Sequence, residues 1–230
     1  MSFVLTPPAQ TVVPVAGGRS FPVHRIYCVG RNYVEQAKEM GHTGREPPFF
    51  FLKPADAALP VADGQTGEMA YPSQTANLHH ASQLVVAIGL GGRDIPAAEA
   101  SQHIWGYAIG LDMTRRDLQN DMKKQGRPWC IGKAFEQSAP IGPIHPIART
   151  GVLDKGAITL QVNGAPRQKG DLSELIWSVD EIIEHLSAAW LLQPGDLIYT
   201  GTPAGVGAVQ RGDLMEGAIE GLGTLRVAVR

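Results

Sequence analysis

Side chains capable of catalysis or ligand binding are most concentrated in the stretch 110–143. An apolar run ends there at Asp112, and a polar segment containing Arg116 and Gln119 follows at once. Their spacing of i, i+4 and i+7 would place all three on one face of a short helix beginning after Asp112. Lys133 follows a Gly-Arg-Pro turn, so the stretch supplies one carboxylate, two cations and one amide.

Two interpretations of this cluster are open at this point. Clusters of opposite charge are often solvated ion-pair faces without any function. The same residues could form an anion site beside a hard metal ion, with Asp112 as an oxygen ligand and with Arg116 and Lys133 holding a substrate carboxylate. The rest of the chain must decide between them.

Bulk composition excludes several classes of partner. The 230 residues include 22 acidic and 20 basic side chains, a net charge of -2 that predicts binding to neither nucleic acid nor an anionic membrane. Cys28 and Cys130 lie too far apart to form a metal-type pair, as expected of a reduced protein. No apolar run reaches membrane-spanning length, and the N-terminus lacks the pattern of a signal peptide. We therefore predict a cytoplasmic protein.

The sequence around this cluster predicts short strands separated by turns, which would hold the cluster in place. Apolar segments typical of buried strands lie at 25–29, 49–53, 78–89 and 197–199. Asn163-Gly164 predicts a hairpin. Helical patterns cover 178–189 and 33–40, and Asn32 is placed to cap the second. Many strands and few helices predict an α+β fold that is mixed and mostly β.

Five motifs together resemble the fumarylacetoacetate hydrolase family, particularly its smaller members that act on fumarylpyruvate and other acylpyruvates. They are CVGRNY (28–33), REPPFFFLKP (45–54), the stretch 110–143, VNGAPRQ (162–168) and PGDLIYTGTPAGVG (194–207). The resemblance implies a β-roll with few short helices over 21–230, assembled as a homodimer. The short alternating segments before it predict lead-in strands over 1–20. The resemblance also implies Mg²⁺ or Mn²⁺ and hydrolysis of a C–C bond in a 1,3-dicarbonyl acid, in aromatic catabolism.

The resemblance places the metal on one aspartate and two glutamates. The aspartate corresponds to Asp112, whereas Ala81 and Gln83 stand at the two glutamate positions. A hard divalent cation gains most of its affinity from anionic oxygens, so these replacements predict weak or absent metal binding.

The resemblance also assigns proton transfer to a histidine and a glutamate on a lid helix. These positions hold Gln36 and Glu39, and Lys133 stands at a further catalytic position. Gln36 cannot take up a proton at neutral pH. The loss of such a base removes a factor of about 10² to 10⁴, so we expect reduced or lost activity. The family positions expected to bind substrate are Arg116, Gln119, Lys53, Thr202 and Gln168.

Several functions remain open on these grounds. The retained cations favour a weakly active or altered hydrolase of keto acids. The missing carboxylates favour a non-catalytic paralogue that binds small keto-dicarboxylates or pairs with an active homologue. A deliberately inactivated enzyme would show the same replacements. Rescue by His42, His79 or His80 is the less favoured alternative. Gly41 should end the helix before His42, and the two strand histidines belong to the family pattern without being ligands.

Overall fold

The computed structural model describes residues 2–39, 41 and 45–230. In chain order the strands are β1 (Val12–Pro14), β2 (Ser20–Pro22), β3 (Ile26–Gly30), β4 (Phe49–Lys53), β5 (Ala58–Pro60), β6 (Thr66–Met69), β7 (Leu78–His80), β8 (Ser82–Ile88), β9 (Ile104–Leu111), β10 (Thr114–Arg115), β11 (Ala139–Ile141), β12 (His145–Pro146), β13 (Ala157–Val162), β14 (Ala165–Asp171), β15 (Leu197–Tyr199), β16 (Gly207–Val209), β17 (Leu214–Ile219) and β18 (Gly223–Val229). The helices are α1 (Val34–Glu39), α2 (Arg116–Lys124), α3 (Cys130–Lys133), α4 (Ile147–Thr150) and α5 (Val179–Ala189). Short 3₁₀ segments lie at Ala55–Ala57, Ala97–His103 and Leu172–Glu174.

An eight-stranded mixed sheet forms the centre of the fold. Its strand order is β4-β3-β15-β8-β9-β11-β5, and β12 pairs with β9. A five-stranded sheet, β14-β13-β17-β18-β6, and a three-stranded sheet, β10-β7-β16, accompany it. Strands β8 and β15 are buried at every residue, which explains the apolar sequence of β15 and of β8 from Leu84 onward. This architecture confirms the prediction of a mixed, mostly β fold with few short helices.

Buried apolar side chains form two clusters on opposite faces of β8. Leu84 and Val86 belong to the larger cluster, while Val85 and Ala87 belong to the smaller one, as successive residues of a strand should. The smaller cluster also contains Val13 from β1, so the lead-in hairpin β1-β2 packs against the large sheet. Strand β2 spans the boundary set at residue 21, and the division into 1–20 and 21–230 stays a prediction.

Local sequence predicted the helix α5 correctly but not the role of Asn32 before α1. The helical pattern predicted over 178–189 is confirmed as α5, and its start is a capping box, because Ser178 Oγ accepts from the N–H of Glu181 and Glu181 Oε2 accepts from the N–H of Ser178. The capping role predicted for Asn32 is wrong. Its side-chain amide donates to the carbonyls of Trp177 and Thr200 and accepts from the N–H of Trp177, so it joins the end of β3 to the segment before α5. No helix in the described part of the chain is long and apolar enough to cross a membrane.

Candidate active site

A cleft of about 500 Å³, part of it open to solvent, collects most of the residues predicted from the sequence. It lies where the end of β3, α1, β8, the end of β9, α2 and the loop after β15 meet. The predicted residues that line it are Gln36, Ala81, Gln83, Asp112, Arg116, Gln119, Lys133 and Thr202. The interpretation of a solvated ion-pair face is wrong, because Asp112 is only 3% exposed and Lys133 only 6%.

Asp112 is the carboxylate at the floor of this cleft. Its Oδ2 accepts a hydrogen bond from Lys133 Nζ at 2.7 Å and a longer one from Gln83 Nε2 at 3.3 Å. Its Oδ1 lies 3.0 Å from Lys53 Nζ, an ion-pair contact. Burial by itself would raise the pKa of Asp112, but the ammonium groups of Lys133 and Lys53 outweigh it and hold the pKa below its ordinary value. Asp112 is therefore ionised and already faces two cations.

Lys53 supports the site from behind. Its Nζ donates to the carbonyls of Met113 and Lys133 and meets Asp112 Oδ1. Two of the three ammonium donors go to those carbonyls, the contact with Asp112 Oδ1 is an ion pair, and Lys53 does not line the cleft. The predicted substrate-binding role does not fit this geometry, since Lys53 instead fixes Asp112 and the backbone of α3. The reason is burial: the side chain is only 2% exposed.

Lys133 does reach the cleft. Its Nζ donates to Asp112 Oδ2 and to Thr114 Oγ1, each at 2.7 Å, which leaves one of its three donors for a ligand. Burial lowers the pKa of Lys133 to about 8 although the negative charge of Asp112 opposes the shift. The ammonium form therefore predominates at neutral pH.

Gln83 and Ala81 stand beside Asp112 because they are two residues apart where β7 passes into β8, and so point to one face. Gln83 donates to Asp112, and its Oε1 accepts from the N–H of Gly201 at 2.8 Å. The backbone N–H of Asp112 donates to the carbonyl of Ala81 at 2.9 Å. Gln83 thus links Asp112 to the Gly-rich loop after β15, whereas Ala81 offers the cleft only a methyl group.

Helix α2 begins at Arg116, four residues after Asp112. Arg116 and Gln119 therefore share a helix face as predicted, whereas Asp112 lies before the helix. Arg116 Nη1 donates to Gln119 Oε1 at 2.8 Å, and both side chains line the cleft. Sequence reasoning missed Lys123 and Arg31, which also line it. Lys123 follows Gln119 by four residues, a spacing that could have revealed it. Nothing in the sequence pattern marked Arg31.

Two further predicted residues, Glu39 and Gln168, do not line the cleft. Gln36 is 8% exposed and lines the cleft, but Glu39 is exposed at the end of α1 and is not among the lining residues. Thr202 lines the cleft while its Oγ1 donates to the carbonyl of Ser82 at 2.7 Å. Gln168 does not line it. The predicted pairing of Gln36 with Glu39 and the binding role of Gln168 therefore do not follow from this geometry.

Gln168 instead connects two sheets. Its Oε1 accepts from the N–H of Ser82 at 3.0 Å and lies 3.2 Å from His80 Nδ1, while its Nε2 donates to Thr202 Oγ1 and to the carbonyl of Pro203, both at 2.8 Å. All the polar atoms of this amide are thus engaged within the protein, which explains its position outside the cleft.

The histidines considered as substitutes do not line the cleft where they are described. His80 contacts Gln168 on the opposite face of the strand from Gln83, and burial lowers its pKa to about 4. His79 lies 2.9 Å from Asn77 Oδ1 through its Nε2. His42 lies outside the described residues.

The donor set does not fit the divalent cation implied by the family resemblance. Among the lining residues Asp112 is the carboxylate, and its two oxygens already face Lys53 and Lys133. The described part of the chain contains no group of three His, Cys, Asp or Glu side chains arranged to hold a metal. A hard cation placed here would meet ammonium groups where it requires anionic oxygens.

Fold and cleft together define a class: a β-rich protein with a cationic, small-molecule-sized cleft at the ends of its central strands. The profile of the fumarylacetoacetate (FAA) hydrolase C-terminal family matches residues 25–230. This chain belongs to the fumarylacetoacetate hydrolase family, and its fold is of that type.

Individual relatives carry two activities. The crystal structure of fumarylpyruvate hydrolase from Pseudomonas aeruginosa in complex with Mn²⁺ and pyruvate is 57% identical, with a TM-score of 0.97 and 99% of each chain covered. A fumarylpyruvate hydrolase from Ralstonia is 46% identical over 80% of this chain and 93% of its own. The mitochondrial oxaloacetate tautomerase FAHD1 of Rattus norvegicus is 41% identical over 89% of this chain and 90% of its own. The chain is thus similar both to hydrolases and to tautomerases of short keto acids.

Proposed function

We propose that this chain retains the acylpyruvate-binding cleft of its family but hydrolyses the substrate C–C bond poorly or not at all. One observation carries the proposal. At Asp112, where a metal would need a carboxylate surround, the neighbours are two ammonium groups, the amide of Gln83 and the methyl of Ala81. The cleft is therefore suited to hold an anion and poorly suited to hold Mg²⁺ or Mn²⁺.

The chain's own residues support binding better than turnover. Arg116 keeps donors beyond the one given to Gln119, and Lys133 keeps one donor, so both can hold a keto-acid carboxylate. Hydrolysis additionally needs a group that takes a proton from water. Gln36, which stands at the family's base position by resemblance, lines the cleft and is not a base.

The second candidate function is a non-catalytic paralogue that binds small keto-dicarboxylates or pairs with an active homologue. The positive charge retained in a cleft without a metal set favours it. We also propose, from the family resemblance, a cytoplasmic homodimer. In support, β4 is an edge strand of the large sheet and leaves Leu52 38% exposed, an apolar edge that a second copy could cover.

The test compares the native chain with Gln36→His/Ala81→Glu/Gln83→Glu by the loss of enol absorbance of fumarylpyruvate in the presence of Mn²⁺. We expect turnover by the triple variant to exceed that of the native chain by at least about 10²-fold, because the base alone contributes that much. Ala81→Gln, which adds bulk without charge, is the control and should remain as slow as the native chain.

Rapid hydrolysis by the native chain would contradict the proposal and show that another group holds the metal or moves the proton. Inactivity of every variant, with intact fold by circular dichroism, would show that fumarylpyruvate is not the substrate.

A further inference from the structure

The cleft carries a local surplus of positive charge that the rest of the chain does not predict. Four cationic side chains line it, Arg31, Arg116, Lys123 and Lys133, and among the described lining residues Asp112 is the one anion. Lys53 adds a further ammonium directly behind Asp112. The chain as a whole has a net charge of -2, so this surplus is a property of the site.

Burying unpaired positive charge in the cleft costs free energy, because the ammonium groups lose their hydration. Lys53 and Lys133 are 2% and 6% exposed and share one carboxylate between them. Buried charges are retained at tolerable cost when they are paired, and one Asp cannot neutralise two ammonium groups. An anion bound in the cleft would complete the pairing.

The side-chain amide of Gln83 is hydrogen-bonded within the protein at the position beside Asp112. A glutamate there would bring a second carboxylate beside Asp112 Oδ2 and would have no hydrogen to donate to it. The glutamine amide donates to Asp112 and accepts from Gly201, so both ends are satisfied. Ala81 likewise adds no negative charge to the cleft wall.

We propose that Ala81 and Gln83 turn the cleft into a metal-independent site for a short dianion, a dicarboxylate or the enolate of a 2-oxo acid. This inference rests on the proposed binding function. The cations lie at two levels that suit two anionic groups: Lys133 is buried at the floor, and Arg116, Lys123 and Arg31 are half-buried in the walls. The chemistry that a metal supplies in a relative, positive charge next to the ligand oxygens, comes here from ammonium and guanidinium groups.

The experiment measures malonate binding to the full chain by titration calorimetry at low salt, once in EDTA and once in Mn²⁺. We expect the native chain to bind malonate with the same affinity in both buffers and to give no heat with Mn²⁺ alone. Ala81→Glu/Gln83→Glu should bind Mn²⁺. In EDTA it should bind malonate at least about tenfold more weakly than the native chain, since it places two added negative charges beside the ligand, and Mn²⁺ should restore the affinity.

Two control variants test whether charge causes the weakening and whether malonate binds in the cleft. Ala81→Gln differs from the double variant only by two negative charges, and we expect it to bind malonate like the native chain in EDTA. Equal weakening in Ala81→Gln would show that bulk is responsible and would overturn the inference. Arg116→Gln should lose most of the affinity; unchanged binding in that variant would mean that malonate binds elsewhere, which also overturns it.

Loss of native malonate binding in EDTA would overturn metal independence whatever the enzyme assay shows. Hydrolysis of fumarylpyruvate by the native chain with Mn²⁺ would instead contradict the proposed loss of activity. Failure of the binding inference and failure of the proposed function are therefore distinguishable. Calorimetric titration with malonate tests the first, and the fumarylpyruvate hydrolysis assay tests the second.

Discussion

The absence of a side chain at Gly30 makes room for the ring of Phe49 in the cleft wall. Gly30 lies at the end of β3 and lines the cleft together with Phe49. A Cβ added to Gly30 would overlap the ring of Phe49, and the same ring lies 4.9 Å from the guanidinium of Arg31. A missing methyl group at residue 30 therefore makes room for an aromatic wall that supports a cation.

We expect Gly30→Ala to destabilise the protein and to disturb the cleft. Forcing an extra carbon into a packed site typically costs about 1–3 kcal/mol, and displacement of Phe49 would also move Arg31. Urea unfolding measures the first effect and malonate titration the second. Gly207→Ala, another strand glycine, is the control, since a Cβ there would come no closer than 3.7 Å to its nearest neighbour, His80. Equal effects of the two changes would contradict this account.

At the scale of elements, the site depends on one hydrogen-bonded link between sheets. Gln168 on β14 belongs to the five-stranded sheet, and its amide bonds to Ser82 on β8 and to Thr202 and Pro203 after β15. Because Thr202 lines the cleft, this link sets the position of the Gly-rich loop relative to β8. A residue that resembles a substrate ligand in sequence thus acts as a structural connection.

We expect Gln168→Leu to lower the free energy of unfolding by at least ~2 kcal/mol, because each buried polar group left without a partner costs about 1–3 kcal/mol. Chemical unfolding measures the loss. Gln161→Leu makes the same chemical change on β13 at an exposed position and should have little effect. If Gln168→Leu were as stable as Gln161→Leu and only ligand affinity fell, direct substrate binding by Gln168 would be the better explanation.

At the scale of the whole molecule, a buried histidine couples folding to pH. Burial lowers the pKa of His80 to about 4, against an ordinary value of 6.5, so the folded protein keeps this ring neutral. Between those two pH values the unfolded chain takes up a proton that the folded chain does not. Stability therefore falls as the pH decreases through this window and is unaffected by His80 above it.

The change from pH 6.5 to 4 should cost the native protein on the order of 3 kcal/mol through His80, and His80→Asn should lack that part of the acid sensitivity. Thermal unfolding of both proteins between pH 7 and 4 measures the difference. Asparagine can keep a donor near Gln168, so the variant is expected to fold. Parallel stability curves for the two proteins would contradict the assignment.

Residue types and local patterns were sufficient to predict the fold class, the family and most of the cleft. Unbroken apolar segments give strands buried on both faces, and residue types give the chemistry, so Asp112, Arg116, Gln119 and Lys133 could be predicted as one cluster. The capping box before α5 is likewise local, because donor and acceptor lie three residues apart. Signals of this kind need no knowledge of the rest of the chain.

Which side chains face the cleft depends on contacts between segments that are distant in the chain. Lys53 comes from a strand some sixty residues before Asp112, and the side chain of Asn32 bonds to residues near 177 and 200. Arg31 lies past the end of β3 with a φ of 52°, so the turn after that strand brings its side chain to the cleft. Gln168 leaves the cleft through the register of β14 in its sheet, and a one-residue change of that register would reverse its side chain. Local sequence cannot specify that register, because it is set by the packing of whole strands against each other.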